Sequence, residues 1–241
     1  MENIKNAHKP YGLYEKYFKR LLDILCGLAA VIVFWWLYVI IAILVRVKLG
    51  SPVIFKQPRP GKDEKIFNLY KFRTMTDARD ENGNLLPDDK RLTKFGCSLR
   101  ASSLDELPEV FNILRGDMSV IGPRPQLVRD MVFMTPEQRR RHAVRPGLSG
   151  LAQTRGRNAL SWDGKLTADL EYIQRVTFLG DVKLILDTVK QVFFHQKGLE
   201  GSDVDEVDIT DDYGDYLLKA GRVSKEEYDE KQAEAKRLLG A

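Results

Sequence analysis

Two adjacent carboxylates and a downstream arginine held between prolines are the residues of this sequence that could do chemistry. The carboxylates are Asp105 and Glu106, and the arginine is Arg124, which stands between Pro123 and Pro125. Prolines restrict the backbone, so this guanidinium is expected to be rigidly held. Arginine grips phosphate through parallel hydrogen bonds, while a carboxylate can bind Mg²⁺ or attack a phosphorus atom. The combination indicates phosphoryl chemistry.

The same carboxylates also fit a purely structural role. Ser103 and Glu106 match the Ser-x-x-Glu capping box, and acidic residues favour the first turn of a helix. Apolar residues at helical spacing follow from Leu104, and Gly116 is a natural stop. A helix start offers unpaired N–H groups to a phosphate as well as to a carboxylate. The chemical role is favoured by the many phosphate-binding side chains, since arginines stand at positions 100, 124, 145, 155 and 157.

The element that must position these residues is an apolar run of about 22 residues, Ile24 to Val45, which is long enough to cross a bilayer. Its length and the missing cleavage site argue against a signal peptide. Basic residues flank both ends, at positions 16, 19 and 20 and at positions 46, 48, 56 and 59. Because positive flanks prefer the cytoplasmic face, we expect a helix that enters and returns on the same side. A simple span is the alternative, since no Pro or Gly interrupts Leu28 to Leu49.

The rest of the chain predicts an α+β fold that is mostly helical, with one short β-hairpin and amphipathic helices at the membrane surface. Hairpin strands are expected at Ser51–Phe55 and Lys65–Phe72, with a turn at Pro58–Gly61. A surface loop is expected over Asp77–Lys90, and a short strand over Met118–Ile121. Two further helices are expected after the strand.

The two helices expected after the strand pass through Leu166–Ile173 and Leu184–Phe193. The second suits either core packing or a membrane surface. Between the short strand and these helices, the stretch from Arg139 to Asn158 is expected to form a cationic, glycine-rich loop region.

Four segments are expected along the chain: a polar N-terminal segment (1–18), a membrane-anchoring helix (19–49), a catalytic domain (50–200) and an acidic linker with a C-terminal helix (201–241). In the linker, Asp203 and Asp205 resemble a metal motif, but their acidic surroundings fit a solvated linker. Ser224 and Glu227 open the final helix as a capping box, and that helix is expected to be solvated or to contact a partner.

Composition excludes several other chemistries. The 241 residues are 44% hydrophobic and 30% charged, which suits a folded protein. The two cysteines, Cys26 and Cys97, form no disulfide framework, and the three histidines lie far apart, which argues against zinc or Ser-His-Asp chemistry. The net charge is +4, with basic residues gathered between Arg139 and Arg157, which indicates anionic partners.

Two alternatives from other classes are a membrane-tethered anion or nucleic-acid binder without catalysis, and a noncatalytic anchor that recruits partners through its C-terminal helix. The binder would use the basic region for phosphate backbones. Both leave Asp105, Glu106 and the Pro-Arg-Pro stretch unexplained.

Five motifs in register resemble the monotopic bacterial phosphoglycosyl transferases. The similarity covers about residues 19–197, and the motifs that carry it are Lys19-Arg20-Leu21-Leu22-Asp23, Lys71-Phe72-Arg73-Thr74-Met75, Ser103-Leu104-Asp105-Glu106-Leu107-Pro108, Gly116 to Pro125 and Arg145-Pro146-Gly147-Leu148-Ser149-Gly150. The resemblance implies transfer of a sugar-1-phosphate from a UDP-sugar to a polyprenyl (undecaprenyl) phosphate. UMP would be released, and surface glycan synthesis would begin at the cytoplasmic face of the bacterial inner membrane.

The resemblance also implies roles for individual residues. Asp105 would attack the β-phosphate and carry a covalent phosphosugar, with Glu106 as base or positioning group. Mg²⁺ would bridge Asp105 and the diphosphate. Side chains placed at the substrate would be those of Arg100 and Arg124 near the phosphates, Arg145 near the nucleotide, and the flanking Pro123 and Pro125. Lys19, Arg20 and Asp23 would form the anchor motif. The implied partners are UDP-sugar, polyprenyl phosphate and membrane lipid, without nucleic acid, and a homo-oligomer is compatible with the sequence.

The sequence departs from the family in two places. Members commonly carry Ser-Pro midway along the membrane helix, where this chain has an aromatic cluster around Trp35 and Trp36. Re-entry therefore loses its usual cause, although the basic flanks still favour it. Leu151 stands where an aromatic residue commonly precedes Ala-Gln. No residue pattern identifies the sugar.

Overall fold

A computed structural model describes residues 8–156, 160–194 and 212–240. The helices are α1 Lys19–Leu49, α2 Asp88–Arg91, α3 Lys94–Ala101, α4 Glu109–Arg115, α5 Val128–Met131, α6 Pro136–Arg139, α7 Leu151–Gly156, α8 Trp162–Gln174, α9 Phe178–Phe194, α10 Tyr213–Lys219 and α11 Lys225–Leu239. The strands are β1 Ile54–Pro60, β2 Ile66–Phe72, β3 Ser119–Ile121 and β4 Gly147–Ser149. The expected mostly helical α+β fold with a β-hairpin is confirmed, and α8 and α9 contain the two predicted helices.

The apolar run forms α1, a single helix that continues through Trp35 and Trp36 without a break. Its 31 residues extend about 46 Å at the usual rise per residue. Together with a π-helical turn at Tyr14–Phe18 it is the one helix among the described residues that is long and apolar enough to cross a membrane. The sequence-based prediction of a long apolar helix is therefore confirmed.

One face of α1 is buried against the rest of the protein near each end of the helix. The buried residues are four positions apart within each of two groups, Asp23 and Gly27 near the start of α1 and Ile41, Val45 and Leu49 near its end. The last three pack in one cluster with side chains of β2 and α3. Both ends of α1 therefore contact the same domain, and the same-side arrangement in the membrane stays a prediction.

The hairpin differs from the expected one in its turn. Strands β1 and β2 pair antiparallel, with Pro58 opposite Asn68 and Pro60 opposite Ile66, so the prolines lie in the strand and the predicted turn at Pro58–Gly61 is wrong. A two-stranded sheet has an open edge on each strand, where the missing N–H of proline is tolerated. The turn instead follows Pro60, as a short 3₁₀ helix over residues 62–64.

A parallel pair, β3 and β4, brings two of the sequence motifs together. Ser119 lies opposite Gly147, and Ile121 opposite Ser149. A Cβ atom on Gly147 would lie 2.1 Å from the nitrogen of Gly122, so this close backbone approach requires glycine. The predicted loop over residues 139–158 is therefore wrong in part, since it contains β4 and the whole of α7, and Asn158 lies outside the described residues.

The C-terminal helices α10 and α11 pack on the catalytic domain. They share a buried cluster with α5 and α8, made of Val128, Met131, Val132, Phe133, Met134, Trp162, Leu166, Tyr213, Leu217 and Ala235. Ser224 caps α11 by accepting a hydrogen bond from the nitrogen of Glu227, as the sequence predicts. The expectation of a solvated or partner-binding helix is wrong for the inner face of α11. Asp203 and Asp205 lie outside the described residues.

Candidate active site

The two carboxylates lie on a short 3₁₀ turn, Leu104–Glu106, which we call the acid turn. Ser103 precedes it in the left-handed conformation, at φ 55°, and its side chain caps nothing there. The predicted capping box is therefore wrong, and helix α4 begins only at Glu109. The physical reason lies in the side chain of Glu106, which turns toward two cations instead of toward the backbone.

Glu106 joins three elements. Its Oε1 atom accepts hydrogen bonds from Lys71 Nζ on β2 and from the Arg124 guanidinium, each at 2.8 Å. Burial would raise the pKa of Glu106, but the charges and hydrogen bonds of Arg124 and Lys71 outweigh it and hold the pKa well below its usual range. A carboxylate this acidic is a poor proton acceptor. The geometry thus favours the positioning role of Glu106 over the role of base.

Asp105 is buried, with 7% of its surface exposed. Burial raises the pKa of this carboxyl group, and the charge of Glu106 adds to the rise, while Lys71, Arg100 and Arg124 oppose it. Burial leaves this carboxyl group weakly hydrated, which suits a nucleophile once the group is ionised.

Glu109 is a third carboxylate of the site, and the sequence analysis assigned it no role. It is 2% exposed, and its Oε1 atom lies 3.5 Å from Lys71 Nζ. Burial and the charge of Glu106 raise its pKa to about 7. The signal was present in the sequence, because a residue three or four positions after Asp105 and Glu106 falls on the same side of a helical turn.

Lys71 was likewise missed, although it opens one of the motifs. Strand β2 directs its ammonium group between Glu106 and Glu109. Arg100, which the sequence did predict, lies on α3 and donates from Nε to the Thr74 hydroxyl at 3.1 Å. Its charge acts on Asp105, so the structure brings Arg100 to the acid turn.

The Pro123–Pro125 stretch, called here the Pro-Arg-Pro loop, is held by two other arginines. Arg59 donates to the Pro125 carbonyl at 3.1 Å, and Arg141 donates to the Arg124 carbonyl at 2.6 Å. Arg141 is itself buried and paired with Asp169. The rigidity of the loop therefore comes from these hydrogen bonds as well as from its prolines.

Arg145 occupies a different place from the other predicted residues. Its Nε atom donates to the carbonyl of Gly116 at 2.9 Å, just past the C-terminal end of α4. The acid turn precedes the opposite end of that helix, so the structure does not bring Arg145 to the carboxylates. Its predicted nucleotide contact stays a prediction.

Several arginines of the basic stretch are paired inside the protein. Arg139 pairs with Glu64, Arg141 with Asp169 and Arg155 with Glu171, while position 157 lies outside the described residues. These pairs do not support the expected free basic surface, which was the basis of the nucleic-acid alternative.

The anchor motif fastens α1 to the catalytic domain. Lys19 Nζ lies 2.6 Å from Asp181 on α9. Arg20 donates to the last carbonyls of α4. Asp23 accepts hydrogen bonds of 2.9 Å from the hydroxyl of Ser119 and the nitrogen of Val120. The motif therefore sets the position of α1 relative to three separate elements.

One of the two carboxylates, that of Asp105, fits the way in which Mg²⁺ is commonly bound at phosphate sites. Among the described residues, no group of three or more His, Cys, Asp or Glu side chains is arranged to hold a metal ion. Mg²⁺ at phosphate sites commonly uses only one or two carboxylates and takes its other ligands from phosphates and water. Asp105 fits this mode, whereas the Oε1 atom of Glu106 already accepts from two cations.

Comparison with known proteins identifies the class. The sequence pattern described as bacterial sugar transferase matches residues 14–195. The chain therefore belongs to the bacterial sugar transferase family, and it is an enzyme of that family.

Three individual relatives show how similar this chain is to other proteins. An uncharacterized sugar transferase, EpsL, of Bacillus subtilis (strain 168) is 49% identical over 180 residues, 72% of this chain and 86% of the relative. The exopolysaccharide production protein PSS of Rhizobium leguminosarum bv. phaseoli is 36% identical, over 75% of this chain and 97% of the relative. A protein of Caulobacter vibrioides named UDP-glucose:undecaprenyl-phosphate glucose-1-phosphate transferase is 35% identical, over 71% of this chain and 68% of the relative.

Proposed function

We propose that this enzyme transfers a sugar-1-phosphate from a UDP-sugar to a polyprenyl phosphate and releases UMP. The observation that carries the proposal is the burial of Asp105 beside Glu106, with Lys71, Arg100 and Arg124 around them. The name of the Caulobacter vibrioides relative, which specifies UDP-glucose and undecaprenyl phosphate, supports the same donor and acceptor classes.

The proposed reaction has two steps. In the first, an Oδ atom of Asp105 attacks the β-phosphorus of the donor, and the bond from that phosphorus to the bridging oxygen breaks. UMP leaves with the bridging oxygen, and the sugar phosphate stays on the aspartate. In the second step, a phosphate oxygen of the polyprenyl phosphate attacks the same phosphorus, and the bond to Asp105 breaks.

The surrounding charges suit both steps. Arg124 donates to Glu106 on the acid turn, and the charge of Arg100 acts on Asp105. We propose that these guanidinium groups bind the diphosphate and stabilise the negative charge that grows on the leaving phosphate. Glu106 keeps Lys71 and Arg124 in place through its 2.8 Å hydrogen bonds. We assign Glu106 to positioning, because its low pKa makes it a weak base at neutral pH.

A Mg²⁺ ion is part of the proposal. Asp105 would hold it together with the diphosphate, and the ion would supply neutralisation of phosphate charge. This chain would contribute one ligand, the buried carboxylate of Asp105, because Glu106 is already paired with Lys71 and Arg124.

Membrane association is proposed for the apolar faces of α1 and α9. Exposed apolar side chains on these helices are Leu25, Ile32, Trp35, Val39, Ile43 and Val47 on α1, and Leu179, Leu186 and Val189 on α9. Because α1 contacts one domain at both ends, we propose that it enters the membrane from a single side, the cytoplasmic face of the bacterial inner membrane. Cysteine labelling on intact vesicles tests this. Positions 15 and 62 should react on the same side, and reaction on opposite sides would contradict it.

The function is tested by measuring UMP release from a panel of UDP-sugars, with undecaprenyl phosphate as acceptor. We expect release with at least one sugar and its loss in Asp105→Asn. Asp89→Asn, on an exposed segment, is the matched control and should keep full activity. Binding of UDP-sugars without UMP release would instead favour the noncatalytic anion binder.

A further inference from the structure

Helix α1 is hydrogen-bonded to both ends of the segment that contains the acid turn and α4. At one end, Arg20 donates to the carbonyls of Ile113 at 2.6 Å and Leu114 at 3.0 Å. At the other, the hydroxyl of Tyr38 donates to the carbonyl of Leu107 at 2.9 Å. Leu107 directly follows Glu106, so the midpoint of the apolar helix is bonded to the residue next to the carboxylates.

The acid turn has weak hydrogen bonds of its own. The nitrogen of Glu106 reaches the Ser103 carbonyl at 3.2 Å, and the nitrogen of Leu107 reaches the Leu104 carbonyl at 3.4 Å. Both distances are at or beyond the usual upper limit for N–H to oxygen bonds, and 3₁₀ geometry is poorer than α-helical geometry. The shorter hydrogen bond from Tyr38, which lies outside the turn, therefore helps to hold the turn in position.

The ring of Tyr38 also contacts both sides of the site. Its centroid lies 5.9 Å from that of Phe111 on α4 and 6.4 Å from that of Phe72 on β2. Phe72 directly follows Lys71, the partner of Glu106. Within the aromatic cluster of α1, Tyr38 thus faces the acid turn, while Trp35 is 62% exposed.

We propose that Tyr38 is a positioning residue for the phosphosugar transfer, and that its hydroxyl fixes the acid turn against the membrane helix. This inference rests on the proposed function. It gives α1 a role in the chemical step in addition to its role as an anchor.

The test is Tyr38→Phe in the full chain in lipid nanodiscs, because this change removes only the hydroxyl and keeps the ring packing. Loss of one such hydrogen bond should slow single-turnover UMP release by about 3-fold to 10-fold. The KM for the UDP-sugar should stay within about 2-fold, because Arg100 and Arg124 are untouched. Tyr17→Phe, at a tyrosine that is 58% exposed, is the matched control and should behave as the unaltered enzyme.

Hydrogen exchange supplies a second readout that does not depend on activity. Amides of residues 104–110 should exchange faster in Tyr38→Phe, while those at the C-terminal end of α4, which Arg20 holds, should not change. An unaltered turnover rate together with unaltered exchange would overturn the proposal. A Tyr38→Phe variant that has a lowered melting temperature but keeps the full turnover rate per folded molecule would also overturn it. If the unaltered enzyme releases no UMP, the proposed function fails. The hydrogen-exchange comparison would still show, independently of activity, whether Tyr38 holds the acid turn.

Discussion

Glu106 and Arg124 are separated by 18 positions in the sequence and joined by a 2.8 Å ion pair. The pair connects the acid turn to the Pro-Arg-Pro loop, and Lys71 shares the same carboxylate oxygen. Two motifs that are far apart along the chain thus meet at one carboxylate oxygen of Glu106.

The first prediction concerns this junction. Glu106→Gln keeps the shape of the side chain and removes the charge that holds Lys71 and Arg124. We expect kcat to fall by about 10-fold or more, because charged hydrogen bonds of this kind contribute about 1.5–3 kcal/mol. Steady-state kinetics of UMP release measure it. Glu137→Gln, at a largely exposed glutamate, is the control, and equal activity of both variants would contradict the assigned role.

The second prediction concerns pH and Glu109. Its pKa is about 7 in the folded protein, above the ordinary glutamate value of 4.5. Between these two values the folded state binds more protons than the unfolded state, so the free energy of unfolding falls as pH rises through this window. The stabilising contribution is present below pH 4.5 and lost above about pH 7.

Glu109→Gln removes this titration. We expect the unaltered protein to lose about 1–3 kcal/mol relative to the variant between pH 5 and pH 8, on the basis of about 1.4 kcal/mol for each unit of pKa shift. Denaturant unfolding at the two pH values measures the difference, with Glu137→Gln as control. A pH dependence that is the same in Glu109→Gln and in the unaltered protein would show that Glu109 does not titrate in this range.

The third prediction concerns the C-terminal helices, which lie beyond the residues matched by the family pattern. A Cβ atom on Gly214 would lie 2.6 Å from the ring of Phe133. Gly214→Val should therefore displace α10 and lower stability by about 1–3 kcal/mol. Thermal unfolding measures the change, and Ala220→Val, at an exposed position of the same segment, should cost much less. Equal stability of the two variants would mean that α10 does not pack on Phe133.

The fourth prediction concerns the divalent ion. Chelation with EDTA should abolish UMP release, and added Mg²⁺ should restore it, because the proposed ion would neutralise the phosphate charge that Asp105 has to approach. The control is the melting temperature, which EDTA should leave unchanged, since the described residues contain no metal cage of three or more ligands. Full UMP release in EDTA would contradict a role for Mg²⁺.

The sequence was most informative where a local pattern agreed with the tertiary structure. The apolar periods of α8 and α9 and the cap at Ser224 are local signals, and the structure contains all three. At Ser103 the local pattern failed, because the cations on β2 and the Pro-Arg-Pro loop attract Glu106 more strongly than a backbone N–H does. No local pattern could have placed those cations beside it.

Pairing between distant segments was also beyond local reasoning. The pairing of β3 with β4 joins residues about 28 positions apart, and it depends on the close approach of Gly122 and Gly147. The prolines of β1 were expected to form a turn, because the sequence does not show that this strand has an open edge. Lys71 belonged to a motif, but its partners became evident only when β2 was placed against the acid turn.

The central claim is that Asp105 carries the phosphosugar. The most direct measurement is mass spectrometry of the enzyme after incubation with its UDP-sugar and Mg²⁺ in the absence of polyprenyl phosphate. We predict an added mass equal to one sugar phosphate, mapped to the peptide that contains Asp105, absent in Asp105→Asn and lost when acceptor is added. Full turnover with no adduct, or an adduct that persists in Asp105→Asn, would contradict the account.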